Sequence, residues 1–279
     1  MEKSISIITS GKVRYMINKI YIPTVGRCDK QITWENLPQK WKDITTLVVN
    51  HEDKDKYDKP TLSLPESIKG IASVREWIVK QAKEEKICML DDDLNFVYTK
   101  KIDEVGQTNR KLNEDDFEKM MSLMSGWLDK YVFCGLDATW SHPQFEIDYK
   151  FCGRVCSNVF YNTKTLPMHD INWTDIEISE DYNIALQLLT RGLANKVSTR
   201  YRVSPVDNFS SGGCSSYRTI ELHNDSFVKL QKKFPNFVKL KEKVQNSGLW
   251  KGQKRIAGII QWKKAYQSSQ VNTLDEFMT

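Results

Sequence analysis

The chain has 279 residues, of which 40% are apolar and 28% charged, with a mean hydropathy of −0.53. This composition excludes wholesale disorder, and 13 Gly and 8 Pro exclude a collagen-like or linker-dominated chain. The formal charge is only +5, but eleven basic residues and one acid, Glu242, fall between Lys229 and Lys264, as expected of either a solvated helical face or a surface that meets a polyanion.

The first fifteen residues lack the long apolar region and cleavage site of a secretory leader, and no stretch approaches 18 consecutive apolar residues. Secretion and membrane insertion are therefore not expected. Residues 19–23 (KIYIP) predict a first strand and residues 45–50 (TTLVVN) a second, with a helix or irregular crossover over 31–42. Ile68, Ile71, Val74, Ile78 and Ala82 recur at helical spacing and predict a helix over 68–84. Residues 86–90 (KICML) predict a third strand that runs straight into Asp91, Asp92 and Asp93. Alternating strands and helices point to an α/β sheet wrapped by helices. A helix follows over 113–130, with Asn113 as cap and Phe117, Met120, Met121, Met124 and Leu128 on one face. Further strands are predicted over 131–136, over 151–161 at a sheet edge, and over 196–203, with a helix over 179–190. A Ser/Gly run at 210–216 precedes a basic region, read as helical to about residue 267. One domain over 1–225 with a basic helical extension over 226–279 is the expected organisation.

Cys28, Cys88, Cys134, Cys152, Cys156 and Cys214 are scattered, with no C-x-x-C pair. Reduced thiols in a cytosolic compartment fit better than disulfides or structural zinc. Residues 140–146 spell WSHPQFE, seven residues identical to a streptavidin-binding affinity tag, with Ile147 where the tag has lysine. The segment reads as a graft in a surface loop, which sets Trp140, His142 and Glu146 aside from chemistry.

Two groups of carboxylates carry the functional argument. Asp91–Asp93 end a buried strand, where α/β sheets face their ligand crevice. Adjacent anions repel unless a cation neutralises them, and a hard divalent metal suits oxygen ligands. Strand alternation would direct Asp91 and Asp93 to a metal–diphosphate assembly and Asp92 to a ribose or sugar hydroxyl. A solvated acidic turn is the plainer explanation. Glu180 and Asp181 open a helix, where they either match the helix dipole or supply a general base. There is no P-loop or kinase motif.

In order and spacing, IPTVGR (22–27), LVVN (47–50), LPESIKGIASVREWI (64–78), MLDDDLNF (89–96), SEDYNIALQLLTRG (179–192) and GGCSSYRT (212–219) resemble GT-A-fold glycosyltransferases. More narrowly, they resemble the phage TET-associated glycosyltransferases, which modify 5-hydroxymethylated pyrimidines in viral DNA. The resemblance implies a GT-A-like mixed sheet flanked by helices. It implies nucleotide-sugar contacts from Thr24, Gly26, Arg27, Asn50, Arg75, Asp92 and Arg218. A divalent metal, Mn²⁺ or Mg²⁺, is expected on Asp91, Asp93 and His223, with Asp181 as base beside Glu180. The implied donor is a UDP-sugar and the implied acceptor is double-stranded DNA containing 5-hydroxymethylcytosine, in the cytoplasm of an infected bacterium. The 229–264 region would hold phosphates. A glycan or small-molecule acceptor is the alternative.

Overall fold

A computed structural model describes residues 6–9, 12–106, 108–141, 146–205, 218–246 and 250–277. The Ser/Gly run at 210–216 and most of the tag-like segment lie outside the described residues.

Strands β1 (Ser6–Thr9) and β2 (Lys12–Tyr15) form a separate antiparallel hairpin. Strand β3 (Lys19–Pro23) leads through two short helices, α1 (Ile32–Asn36) and α2 (Gln39–Lys42), to β4 (Thr45–Val49). A 3-10 turn at His51–Lys56 precedes β5 (Thr61–Ser63), helix α3 (Ile71–Gln81) and β6 (Lys86–Leu90). Then come β7 (Leu94–Thr99), β8 (Asn109–Lys111), α4 (Glu114–Leu128), β9 (Phe133–Ala138), β10 (Tyr149–Phe151) and β11 (Asn158–Asn162). Helix α5 (Glu180–Thr190), β12 (Asn195–Pro205) and helix α6 (Ile220–Lys233) follow, then β13 (Val238–Val244), β14 (Lys254–Ile260) and α7 (Trp262–Phe277).

The main sheet has the order β5-β4-β3-β6-β11-β9-β12-β7-β8, with β10 beside β12. Strands β5, β4, β3 and β6 are parallel, while β11 runs antiparallel between β6 and β9. The mixed α/β sheet expected from the sequence is therefore present. Its strands alternate between two apolar layers, as a period of two requires. Ile20, Ile22, Leu47 and Cys88 meet Phe117, Met120, Met121 and Met124 of α4 on one face. Tyr21, Val48, Ile87 and Met89 meet Val74 and Ile78 of α3 and Ile184 and Leu188 of α5 on the other. The methionines of α4 are core, and Asn113 caps that helix by accepting the Asp116 N–H at 2.8 Å.

Two expectations need correction. The strand expected at an edge over 151–161 is two strands. Of these, β11 is fully buried within the sheet, and Cys152 and Ser157 between them adopt left-handed backbone (φ 54° and 61°). The basic extension is not all helical, because β13 and β14 pair as an antiparallel hairpin. Residue 225, after which the extension was expected to begin, lies within α6. This C-terminal region joins the body through a third apolar cluster, in which Leu186 and Leu189 of α5 meet Phe227, Leu230, Val238 and Ala265.

Candidate active site

The three aspartates occupy the turn between β6 and β7, not a continuing strand. Thr33 of α1 fixes that turn. Its hydroxyl donates to the Asp91 carbonyl (2.5 Å) and accepts from the Leu94 N–H (2.9 Å), while its own N–H donates to the Asp92 carbonyl (3.0 Å). The Asp91 N–H donates to the Ser157 carbonyl at 2.8 Å, tying the turn to the left-handed residue before β11.

Each carboxylate then meets a different environment. Asp92 is buried, and both its oxygens are engaged: the Thr24 hydroxyl donates to one at 2.5 Å and Arg27 Nη1 to the other at 2.5 Å. Asp92, expected to meet a donor hydroxyl, holds Thr24 and Arg27 in place with its carboxylate. Arg27 also lies 3.5 Å from Asp93. Burial and the neighbouring Asp91 and Asp92 charges push the Asp93 carboxyl up to about 6. Negative charge at this turn is therefore undercompensated.

Asp91 accepts from Arg75 Nη2 at 2.9 Å, and Arg75 Nη1 pairs with Glu180 at 2.8 Å. Arg75, on α3, so bridges the strand-end turn and the start of α5. Burial opposes the charge of Arg75, but Glu180 and Asp91 outweigh it and raise its pKa. Burial raises the Glu180 carboxyl despite Arg75. Ser179, just before, takes left-handed backbone (φ 70°) and makes no side-chain cap. Both acids are engaged by arginines, Glu180 by Arg75 and Asp181 by Arg154. Asp181 is held by Arg154, whose Nε donates at 2.8 Å. The Arg154 guanidinium lies 4.2 Å from the Tyr182 ring and 5.4 Å from that of Trp140.

Thr24, Arg27, Asn50, Arg75, Asp91, Asp92, Asp93, Glu180, Asp181, Arg218 and His223 all line one cavity of about 950 Å³. That size suits a nucleotide-sugar. Gly26 does not line it; its positive φ (66°) turns the chain between Thr24 and Arg27. His223 lies on α6, with Nε2 3.0 Å from the Ile256 carbonyl and its ring packed against Phe227 and Trp250. Burial and the nearby Arg255 charge lower its pKa to about 4. Among the described residues, no three His, Cys, Asp or Glu side chains gather to hold a metal. His223, expected on a metal with Asp91 and Asp93, here has Nε2 on the Ile256 carbonyl.

The structure adds residues that sequence reasoning passed over. Arg154 stands 27 positions before its partner Asp181, with no local signal. Trp140, set aside with the tag-like segment, lines the cavity, and Lys243, Trp250 and Arg255 join it from the basic region expected to hold phosphates.

A protein-family profile described as TET-Associated Glycosyltransferase matches residues 18–214. The chain belongs to the TET-associated glycosyltransferase family. It is a glycosyltransferase, and the match covers both acidic groups, β3 and α3. The beta-glucosyl-HMC-alpha-glucosyl-transferases of Enterobacteria phages T2 and T6 are each 26% identical over 209 residues, 68% of this chain and 71% of the relative. Among solved structures, S. aureus TarS 1–349 is similar at 12% identity and a TM-score of 0.42. That match covers 77% of this chain and 66% of TarS 1–349, just under two thirds of its length. The cavity wall from α6 and the β13–β14 hairpin lies beyond the family match. No helix among the described residues is long and apolar enough to cross a membrane.

Proposed function

We propose that this glycosyltransferase moves a sugar from a UDP-sugar to the hydroxymethyl group of 5-hydroxymethylcytosine in phage DNA, inside the infected cell. The observation that carries this reading is the meeting of two acidic groups on one cavity, joined through Arg75. Thr24, Arg27 and Asn50 stand at the carboxyl ends of β3 and β4, where an α/β sheet receives a nucleotide. Arg218, exposed at the rim, is placed to contact the diphosphate.

Asp91 and Asp93 fit a divalent cation. Magnesium is held by one or two carboxylates together with substrate phosphates and water, so a third protein ligand is not required. The raised Asp93 carboxyl reports charge that a cation would relieve. When bound, such an ion would neutralise charge on the departing diphosphate.

Arg154 fixes one oxygen of Asp181; the other, Oδ1, has no partner among the described residues and is left for the acceptor. Asp181 takes the proton of the acceptor hydroxyl. The hydroxyl oxygen bonds to the anomeric carbon as the bond from that carbon to the phosphate oxygen breaks, and displacement from the opposite side inverts the centre. Glu180 keeps Arg75 in place rather than meeting substrate.

The names of the phage relatives favour a second acceptor: a sugar already attached to the modified base. Mass spectrometry of digested nucleosides separates the two. The protein is incubated with Mn²⁺, a panel of UDP-sugars, and duplexes carrying cytosine, 5-hydroxymethylcytosine or its glucosylated form. A sugar mass on 5-hydroxymethylcytosine supports the first acceptor, and one on the glucosylated base alone supports the second. UDP release without an adduct on any duplex would remove DNA as acceptor.

A further inference from the structure

The β13–β14 hairpin is a two-stranded ribbon whose faces differ in charge. Val238, Leu240, Ile256 and Ile260 belong to the face that joins the third apolar cluster. Glu242, the ribbon's sole acid, lies on that face and pairs with Lys254 at 3.0 Å. Lys239, Lys241 and Lys243 alternate onto the opposite face, exposed and about 6.8 Å apart along the strand. Lys243 stands directly across from Arg255. Like charges in direct register destabilise a sheet unless something neutralises them. Among the described residues, none of these four cations makes an ion pair. Arg255 Nε is buried without a hydrogen-bond partner among the described residues. Lys243 and Arg255 line the cavity, while Lys239 and Lys241 carry the charge outward along the strand.

We propose that this cationic face is the seat of duplex DNA, with Lys239, Lys241 and Lys243 along one run of phosphates and Arg255 on the phosphate nearest the cavity mouth. The inference rests on the reading of DNA as acceptor. Ala257 and the half-exposed Ile259 share the face with these cations. A base extruded from the duplex beside Arg255 would enter between Trp250 and the carboxylates.

The test uses the full chain carrying Lys239→Ala and Lys241→Ala, two exposed changes outside the cavity. The control carries Lys119→Ala and Lys164→Ala, an equal change in charge elsewhere. Binding of a fluorescent duplex is measured across a salt series, together with KM for DNA and for the UDP-sugar. The ribbon variant should bind about tenfold more weakly, with the slope of log K against log salt reduced by about 1.8. KM for DNA should rise while KM for the donor stays. Unchanged binding and slope, or an equal loss in the control, overturns the ribbon assignment even where sugar transfer is found. Ribbon-dependent binding without transfer to any duplex overturns the acceptor reading and leaves the ribbon as a DNA surface.

Discussion

Arg75 holds two acidic groups from distant parts of the chain, and its loss would strand both. Replacing it with Met leaves Glu180 buried without a counter-charge, which costs about 3–5 kcal/mol. Urea unfolding of Arg75→Met should register that loss, and adding Glu180→Gln should recover much of it, because a neutral amide is cheaper to bury than a lone charge. Transfer should stay low in both variants, since Asp91 also loses its partner. His223 makes a pH prediction. Its pKa is depressed to about 4 in the folded chain, against about 6.5 unfolded. The unfolded chain therefore binds the proton first as pH falls. Stability is full above about 6.5 and is lost toward about 4, by about 1–3 kcal/mol. His223→Gln, which can keep a donor for the Ile256 carbonyl, should flatten that slope in melts run at pH 4.5 and 7.5.

Helix α4 forms the back of one sheet face, away from the carboxylates, and its start depends on one side chain. Asn113→Ala removes the cap and should cost about 0.5–2 kcal/mol, read as a lower urea midpoint with unchanged slope. KM for the donor should not move. This helix and α3 were legible in the sequence because their apolar residues recur at helical spacing over many turns. The break between β10 and β11 was not, because the left-handed backbone on either side of Gly153 falls at Cys152 and Ser157 and not at a glycine. The hairpin was misread for a different reason. VKLKEKV alternates at a period of two, but on a solvated edge its lysines look like an exposed helical face. At the site, both acidic groups stood out by type and position. Arg75 stood out only through the family resemblance, as a nucleotide-sugar contact, and Arg154 not at all, because Arg75–Asp91 spans 16 positions and Arg154–Asp181 spans 27. Pairing across such distances is set by the sheet order.

Across the whole molecule, the acid-lined cavity draws on two regions of the chain that share a core. Removing residues 236–279 would uncover Phe227, Leu230 and the outer face of α5, where Leu186 and Leu189 are fully buried. The shortened protein should lose its cooperative melt and its near-ultraviolet circular dichroism. A melt within a few degrees of the full chain would instead make the C-terminal region a detachable unit. The antiparallel insertion of β11 has a consequence during synthesis. β6, all five of whose residues are buried, finds its second neighbour only when β11 arrives, and Asn158 follows Leu90 by 68 residues. At about 5–20 residues per second, the ribosome leaves that apolar edge open for about 3–14 seconds. A nascent chain with such an edge is a client for chaperones, and codons that slow translation between β6 and β11 would lower the soluble yield without altering a single residue.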